Sequence, residues 1–376
     1  MRRLLIGTAA LLAAAACSGS PPPTPSACAD AIRPAVPLAI RLAHVPRQAR
    51  ALCIAKRYSS VFAGRGSWGK LPAQMKEVDP DIQLWQNRSL LYACDDCQDA
   101  VFSVSYIRRN HPEWIMHTAS GQEIHPLGHP DRLLLDFTSY DYEVAWGERV
   151  VSELTRDGFT GVNVVDGGNL PLWDGVPVVN NSDLPPHRVL DDAARSRQLA
   201  KALSVVHAVL RTNGFLLAAL NGPPDIIVAD QINSADAVQT GGGFAHLDGA
   251  AWTELFNYFH VAYGVRVGAI VWDDRRPMTA DQRVYGLASY LLVATPLAAY
   301  GPGSRPGDPL YRIPIGLSSQ GEPVEQDGAW LRDYENGVVA VNPGPSPAQV
   351  SMGAAGTVRL APATAAISVG NRVLHS

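Results

Sequence analysis

The sequence predicts an α/β protein: a (β/α)8 TIM barrel followed by a small C-terminal β-sandwich-like domain. Three observations predict it. Between about residues 57 and 301, short apolar runs ending in polar or glycine residues alternate with amphipathic stretches of helical period. That alternation argues for a parallel sheet with helices outside, and roughly eight such units over ~250 residues fit a closed barrel better than an open doubly wound sheet. No G-x-G-x-x-G follows the first strand candidate, which weighs against a dinucleotide-binding fold. Beyond about residue 310 the helical period stops, and short strands between turn signals remain.

The amino terminus is separable. Arg2 and Arg3 precede an apolar run, Leu4 to Ala16, that is far shorter than the ~20 residues of a spanning helix. The run ends in Ala14-Ala15-Ala16-Cys17, followed by Ser-Gly-Ser-Pro-Pro-Pro. This pattern resembles a bacterial lipoprotein signal over 1–17, with Cys17 the lipidated first residue of the mature chain; a plain secretory signal is the alternative. Either implies export, and the first implies a membrane partner through the lipid. Residues 18–50 are rich in Pro and Ala and are expected to be a tether and lead-in. The barrel is expected over 51–309 and the β-domain over 310–376.

Export sets the reading of the cysteines. Cys28, Cys53, Cys94 and Cys97 remain after Cys17, and an even set outside the cytosol reads as two disulfides. Three pairings are possible. Cys28–Cys53 with Cys94–Cys97 is preferred, because it braces the lead-in and pinches a loop. The stretch "CDDC" has no second CxxC and no thioredoxin-like context, so a zinc or redox reading is set aside.

Taken in order, the strand candidates begin with "RYSSVF" (57–62) and "DIQLWQN" (81–87). "PEWIMHT" and "RLLLDFT" lead into a helix that Gly158 should cap. The strand 161–166 follows, then a helix over 187–213 stopped by Asn-Gly. Next come "FLLAALN" (215–221), "ADAVQTGGG" (235–243) and the helix "AAWTELFNYFHVAYG" (250–264). "VGAIVWDD" (267–274), a helix over 280–294 and "PLAAYG" (296–301) complete the barrel. "YRIPIG", "GVVAVN", "QVSMG", "TVRLA" and "AAISVG" are the strands of the tail.

Parallel barrel strands are buried on both faces, and their carboxyl ends meet at one rim. Several of these strands end in a polar residue: Asn87, Asp166, Asn221, and Asp273 with Asp274. Each alone could cap a helix or bind a loop amide; together they would face one cavity. Tyr58, Trp85, Trp173 and Trp272 lie near strand ends and could stack on sugar rings, core packing being the alternative. Trp173, in the loop "NLPLWDGVP", is the best placed of them. The net charge of −4 and the absence of a basic run exclude a nucleic-acid partner. His111, His117, His125 and His129 lack metal-ligand spacing, so no metal is expected. No serine sits in G-x-S-x-G.

The stretch "LLLDFTSYDYEVAWGERVVSELTRDGFTGVNVVDGGN" resembles the hypothetical glycosyl hydrolase-like family fifteen and, more distantly, polygalactosaminidase-like barrels. "HPEWIMHTASGQEI", "GLASYLLVATPLAAYG" and "WLRDYENGVVAVNPGPSP" followed by "VRLAP" agree in order, so the likeness covers most of 55–370. The resemblance implies hydrolysis of a glycosidic bond by two carboxyl groups, without a cofactor, on an extracellular or cell-envelope oligo- or polysaccharide. Asp166 matches the family's fourth-strand acid and would be nucleophile or general base. Relatives carry Glu after the sixth strand in Asp-Gly-Val-x-x-Glu; here the stretch runs Asp236 to Gly241, with glycine at that place. The proton donor would then be Asp273 or Asp274, with Asn221 as a hydroxyl ligand and Asp136 as a supporting or capping carboxylate. Glu254 is expected on the outer helical ring. The rival reading is an inactive barrel that binds carbohydrate or serves the cell envelope.

Overall fold

A computed structural model describes residues 34–376 other than 65, 119, 127, 167–171, 174–175, 178–191, 221–231, 275, 304–306, 317 and 319–320. Its centre is eight parallel strands: β1 (Ala39–Arg41), β2 (Ser60–Ala63), β3 (Gln83–Arg88), β4 (Gly161–Val164), β5 (Leu216–Leu220), β6 (Ala237–Gln239), β7 (Gly268–Trp272) and β8 (Ala299–Gly301). They pair in chain order. The ring closes where Leu38 bridges Tyr300, whose amide donates to the Pro37 carbonyl at 2.9 Å. This is the expected (β/α)8 barrel. It starts earlier than expected, because β1 lies inside the stretch read as tether. A three-residue strand is too short to carry a period that sequence inspection can find.

The helices surround this ring: α1 (Gln48–Arg57), α2 (Leu71–Val78), α3 (Tyr140–Asp157), α4 (Asp192–Thr212), α5 (Gly249–Gly264) and α6 (Ala280–Val293). On α3, Tyr142, Trp146, Val150 and Leu154 recur every four residues and are buried. Gly158 ends that helix in the left-handed conformation, φ 78°, as expected for its cap. A reciprocal capping box between Thr279 and Gln282 starts α6.

The barrel interior is a packed plug. Phe62, Trp85, Ile270 and Trp272 supply bulk, while β1, β5, β6 and β8 contribute Ala39, Ala218, Ala237 and Ala299. Large residues thus face small ones across the axis. Phe62 stacks on Trp85 at 5.9 Å and meets Trp272 edge-on at 5.1 Å. Gly301 has to be glycine here, since a Cβ would stand 2.2 Å from the Trp272 ring.

Between β3 and β4 the chain makes an excursion. Tyr92–Cys94 pairs antiparallel with Arg132–Leu134, and a short helix spans Val104–Asn110. "RLLLDFT" therefore belongs to this excursion, not to the ring. The Cys94–Cys97 disulfide, Cα–Cα 5.4 Å, closes its tip as expected. Cys53 is disulfide-bonded as well; Cys28 and Cys17 lie outside the described residues.

The tail carries β9 (Val324–Gln326), β10 (Ala329–Tyr334), β11 (Gly337–Asn342), β12 (Ala348–Ser351), β13 (Thr357–Leu360), β14 (Thr364–Val369) and β15 (Arg372–His375). Five form an antiparallel sheet in the order β9-β10-β11-β14-β15, and β12 pairs with β13. Alternation sorts the faces. Val339, Val341, Ala365 and Ile367 join the main core, whereas Val338, Ala340 and Ala366 pack with Val350 and Leu360 of the hairpin. "YRIPIG" is not a strand. Asp308 caps a 3-10 turn over Pro309–Arg312 by accepting from the Leu310 amide, and Pro309 suits its first position.

Candidate active site

The carboxyl ends of β1 to β4 border a cleft of about 1050 Å³ that also reaches Asp157 and Phe159. Leu42 to His44, Gly64, Asn87, Arg88 and Asp166 line it, and the excursion adds Asp99 and Arg132. Its size suits an oligosaccharide segment.

Asp166 sits two residues beyond β4 and is half-buried. One oxygen accepts from the Leu90 amide at 2.8 Å. The other accepts from the Ser89 hydroxyl and, at 3.1 Å, from the Leu91 amide. The turn behind these donors is itself held, because the Trp146 indole donates to the Ser89 carbonyl at 2.8 Å and the Tyr142 hydroxyl to the Leu90 carbonyl at 2.7 Å. Burial pushes the Asp166 carboxyl up to about 6, against the pull of the Ser89 hydroxyl and the two amides. β4 thus delivers one carboxylate to a preformed set of donors at the cleft.

The seventh-strand pair divides. Asp273 is buried, with one oxygen on the Ala245 amide at 2.8 Å and the other on the Tyr300 hydroxyl at 2.9 Å. It points outward from the barrel toward α6: a Cβ on Gly286 or Gly243 would come within 2.5 Å of its carboxyl oxygens. With both oxygens committed away from the axis, Asp273 is a structural carboxylate rather than the expected proton donor. Asp274 turns the other way, toward the rim, 3.7 Å from the Arg41 guanidinium, which lies over the Trp272 ring at 3.9 Å.

Burial also raises Asp273 to about 6, offset by Ala245 and Tyr300 and reinforced by the charge of Asp274. A carboxyl raised from 3.8 adds stability that is whole below its unfolded value and is lost as pH climbs through about 6. Asp273→Asn keeps an acceptor for Ala245 and offers Tyr300 a donor. Above pH 7 it is expected to stabilise the fold, by up to about 3 kcal/mol, with no gain below pH 4 and activity retained. Urea unfolding at the two pH values measures it; a loss of stability at pH 7 would refute this reading of Asp273.

The other expected site residues scatter. Asn87 lines the cleft. Asp136 accepts from the Thr138 amide and hydroxyl at 3.1 and 2.6 Å, which makes it a turn cap. Trp85 and Trp272 belong to the barrel plug, 0% and 1% exposed, and present no face to a sugar. Tyr58 is buried before β2, at the amino end of the ring and away from the rim. Trp85 and Trp272 are in packing because the axis needs bulk where four strands supply alanine. Asn221 and the Trp173 side chain lie outside the described residues. Glu254 is exposed on α5, as expected.

Four residues were not singled out as site residues: Ser89, Asn163, Gln239 and Arg41. The signal for two of them was present, since Asn163 and Gln239 interrupt otherwise apolar, fully buried strands. Their amides join a chain across the axis. Trp272 Nε1 donates to Gln239 Oε1 at 2.7 Å, Gln239 Nε2 to Asn163 Oδ1 at 2.5 Å, and Asn163 Nδ2 to Asn87 Oδ1 at 2.8 Å.

Among the described residues, the one group with metal-ligand spacing is Cys94, Cys97 and Asp131, and its two sulfurs are bonded to each other. His111 stacks on Trp114 at 3.7 Å, while His117 and His125 bond the carbonyls of Ile115 and Arg132. None of the described helices is long and apolar enough to cross a membrane.

A profile of the family described as hypothetical glycosyl hydrolase family 15 matches residues 92–338, more than half of the chain. No curated protein matches. Among solved structures, the chain is similar to the alpha-galactosidase AgaA of glycoside hydrolase family 36 from Geobacillus stearothermophilus. There the identity is 13%, the coverage 90% of this chain and 55% of that one, and the TM-score 0.51. It is also similar to the glycoside hydrolase domain of PelA from Pseudomonas aeruginosa, at 13% identity, 72% and 95% coverage and TM-score 0.43. The chain spans about half the length of AgaA, and at this identity the likeness concerns the fold alone.

Proposed function

The chain belongs to hypothetical glycosyl hydrolase family 15, and on that premise we propose that it hydrolyses glycosidic bonds of an extracellular or cell-envelope polysaccharide. The observation that carries the proposal is Asp166, a carboxylate brought up to about 6 by burial and held by three donors at the edge of an oligosaccharide-sized cleft. In this reading Asp166 is the base that activates water or the nucleophile that attacks the anomeric carbon. Asp274, the seventh-strand carboxylate that faces the rim, is the partner. NMR of the first-formed anomer tells retention from inversion, the outcome that the separation of the two carboxyls decides. The test is release of new reducing ends from a panel of neutral and acidic polysaccharides.

One observation favours a second reading. The sixth strand offers the axis the Gln239 amide instead of a carboxylate, and Asp273 is committed elsewhere. A barrel that retains polysaccharide on the same panel but releases no reducing ends is a binding protein.

Residues 1–17 carry the rest of the proposal: export, with attachment to a membrane through a lipid on Cys17. Cys17→Ser is expected to move the protein from the membrane fraction of a bacterial host to the soluble fraction. A wild type that is already soluble would remove the anchor from the proposal.

A further inference from the structure

The amide chain across the barrel axis has only one possible direction. An indole nitrogen donates and never accepts. The Gln239 atom facing Trp272 must therefore be its oxygen. That places the Gln239 nitrogen against the Asn163 oxygen, and the Asn163 nitrogen against the Asn87 oxygen. Each link fixes the next, because an amide has one accepting and one donating end. Gln239 is 1% exposed and Asn163 5%, so a reversed link would bury a donor against a donor, at a cost of roughly 1–3 kcal/mol. The chain ends on the Asn87 nitrogen. That atom meets no partner among the described residues, and Asn87 lines the cleft that also holds Asp166.

We infer that the Trp272–Gln239–Asn163 chain presents Asn87 to the cleft as a donor of fixed polarity, so that the ligand group seated between Asn87 and Asp166 is a hydroxyl. A hydroxyl accepts from the Asn87 amide and donates to the Asp166 carboxylate. A ligand carboxylate in that place would face Asp166 with like charge, and an ammonium would face the Asn87 amide donor to donor. The recognised group is thus an uncharged hydroxyl of a sugar unit, whose own charged substituents, if any, lie away from this position. The inference rests on the cleft reading above for the role of Asp166; the direction of the amide chain does not. Asn87 is the binding residue, and Asn163, Gln239 and Trp272 are positioning residues.

Asn87→Asp tests it with little change of shape. One oxygen of the new side chain still accepts from Asn163, and only the atom facing the cleft changes from donor to acceptor. In the full chain, binding of a neutral galactan retained by the wild type is expected to fall at least tenfold, with the unfolding midpoint little changed. Polygalacturonate binding is not expected to appear. Trp272→Phe removes the indole donor that sets the direction, and a severalfold loss of galactan binding is expected. Side-chain amide exchange with water, followed by NMR, gives a readout independent of any ligand: the Asn87 amide protons should exchange at least tenfold faster than those of Asn163 and Gln239. Asn87 protons as protected as the other two would overturn the inference, as would an Asn87→Asp variant that binds galactan like the wild type. If the wild type neither binds nor cleaves any polysaccharide, the proposed function fails and the exchange rates alone decide the polarity.

Discussion

Asp166→Asn is expected to lower release of reducing ends by roughly a thousandfold or more, because a neutral amide neither activates water nor attacks carbon. The same substitution has a second effect that the geometry makes unavoidable. Both carboxyl oxygens accept, from Leu90 on one side and from Ser89 and Leu91 on the other. An amide must turn its nitrogen toward one of those sides; the Ser89 hydroxyl can rotate to accept it, but the Leu90 amide on one side or the Leu91 amide on the other is left donor to donor. The cost is about 1–3 kcal/mol; above pH 7 it is opposed by the gain from removing a carboxyl that burial holds up to about 6, so stability falls along with activity below pH 4, where no such gain exists. Ser89→Ala separates the two effects. It removes one donor and keeps the carboxylate, so the variant should stay active while the Asp166 carboxyl moves further up. The wild-type rate should fall as pH drops through about 6, since the base works only when ionised. The Ser89→Ala variant should lose activity at a higher pH. A wild-type rate that instead falls above pH 6 would make Asp166 the proton donor and Asp274 the base. An Asp166→Asn variant with undiminished rate would end the catalytic proposal and leave the binding reading.

Arg332→Met should destabilise the protein by about 3 kcal/mol or more. Arg332 lies on β10, 2% exposed, and reaches across to the carboxyl end of α6. Its Nη1 donates to the carbonyls of Leu291, Leu292 and Ala294 at 3.0, 3.0 and 2.9 Å. Those are the carbonyls that a helix end leaves without intrahelical partners. The guanidinium also stands 4.6 Å from the Tyr263 ring of α5, and the Tyr334 hydroxyl donates to the Leu291 carbonyl at 2.6 Å. One buried cation thus fastens the C-terminal sheet to the last barrel helix. Methionine keeps the stem and strands the carbonyls of Leu292 and Ala294, while that of Leu291 keeps the Tyr334 hydroxyl. Urea unfolding is the measurement, and a change under about 1 kcal/mol would show that the sheet is held by apolar packing alone.

How much of the site was legible follows from where each signal is stored. Asp166 could be read because a carboxylate at the end of an apolar strand has few alternatives once the barrel is assumed. Asp273 and Asp274 could not be told apart. They are chain neighbours with the same chemistry, and in extended backbone successive side chains leave on opposite faces. Which one faces the rim depends on the register of β7 against β8, where Trp272 lies beside Gly301. Trp85 and Trp272 look the same in sequence whether they fill the axis or greet a sugar. The decision came from the alanines across the ring, which sequence inspection does not place opposite them. β1 was missed because three residues hold no period.

The chain by itself determined the class of fold, the order of most elements, the cap at Gly158, the pinch at Cys94–Cys97 and the carboxylate at the end of the fourth barrel strand. All of these are local: period, turn chemistry and short spacing are written along the backbone. Only the tertiary structure decided which polar residues share the axis. Asn87, Asn163, Gln239 and Trp272 come from four strands spread over most of the barrel, and a hydrogen-bonded chain among them exists only once the ring has closed. Closure also turns Asp273 outward and leaves Asp274 at the rim, because the identity of a neighbour across a barrel is set by pairing register and not by distance along the chain.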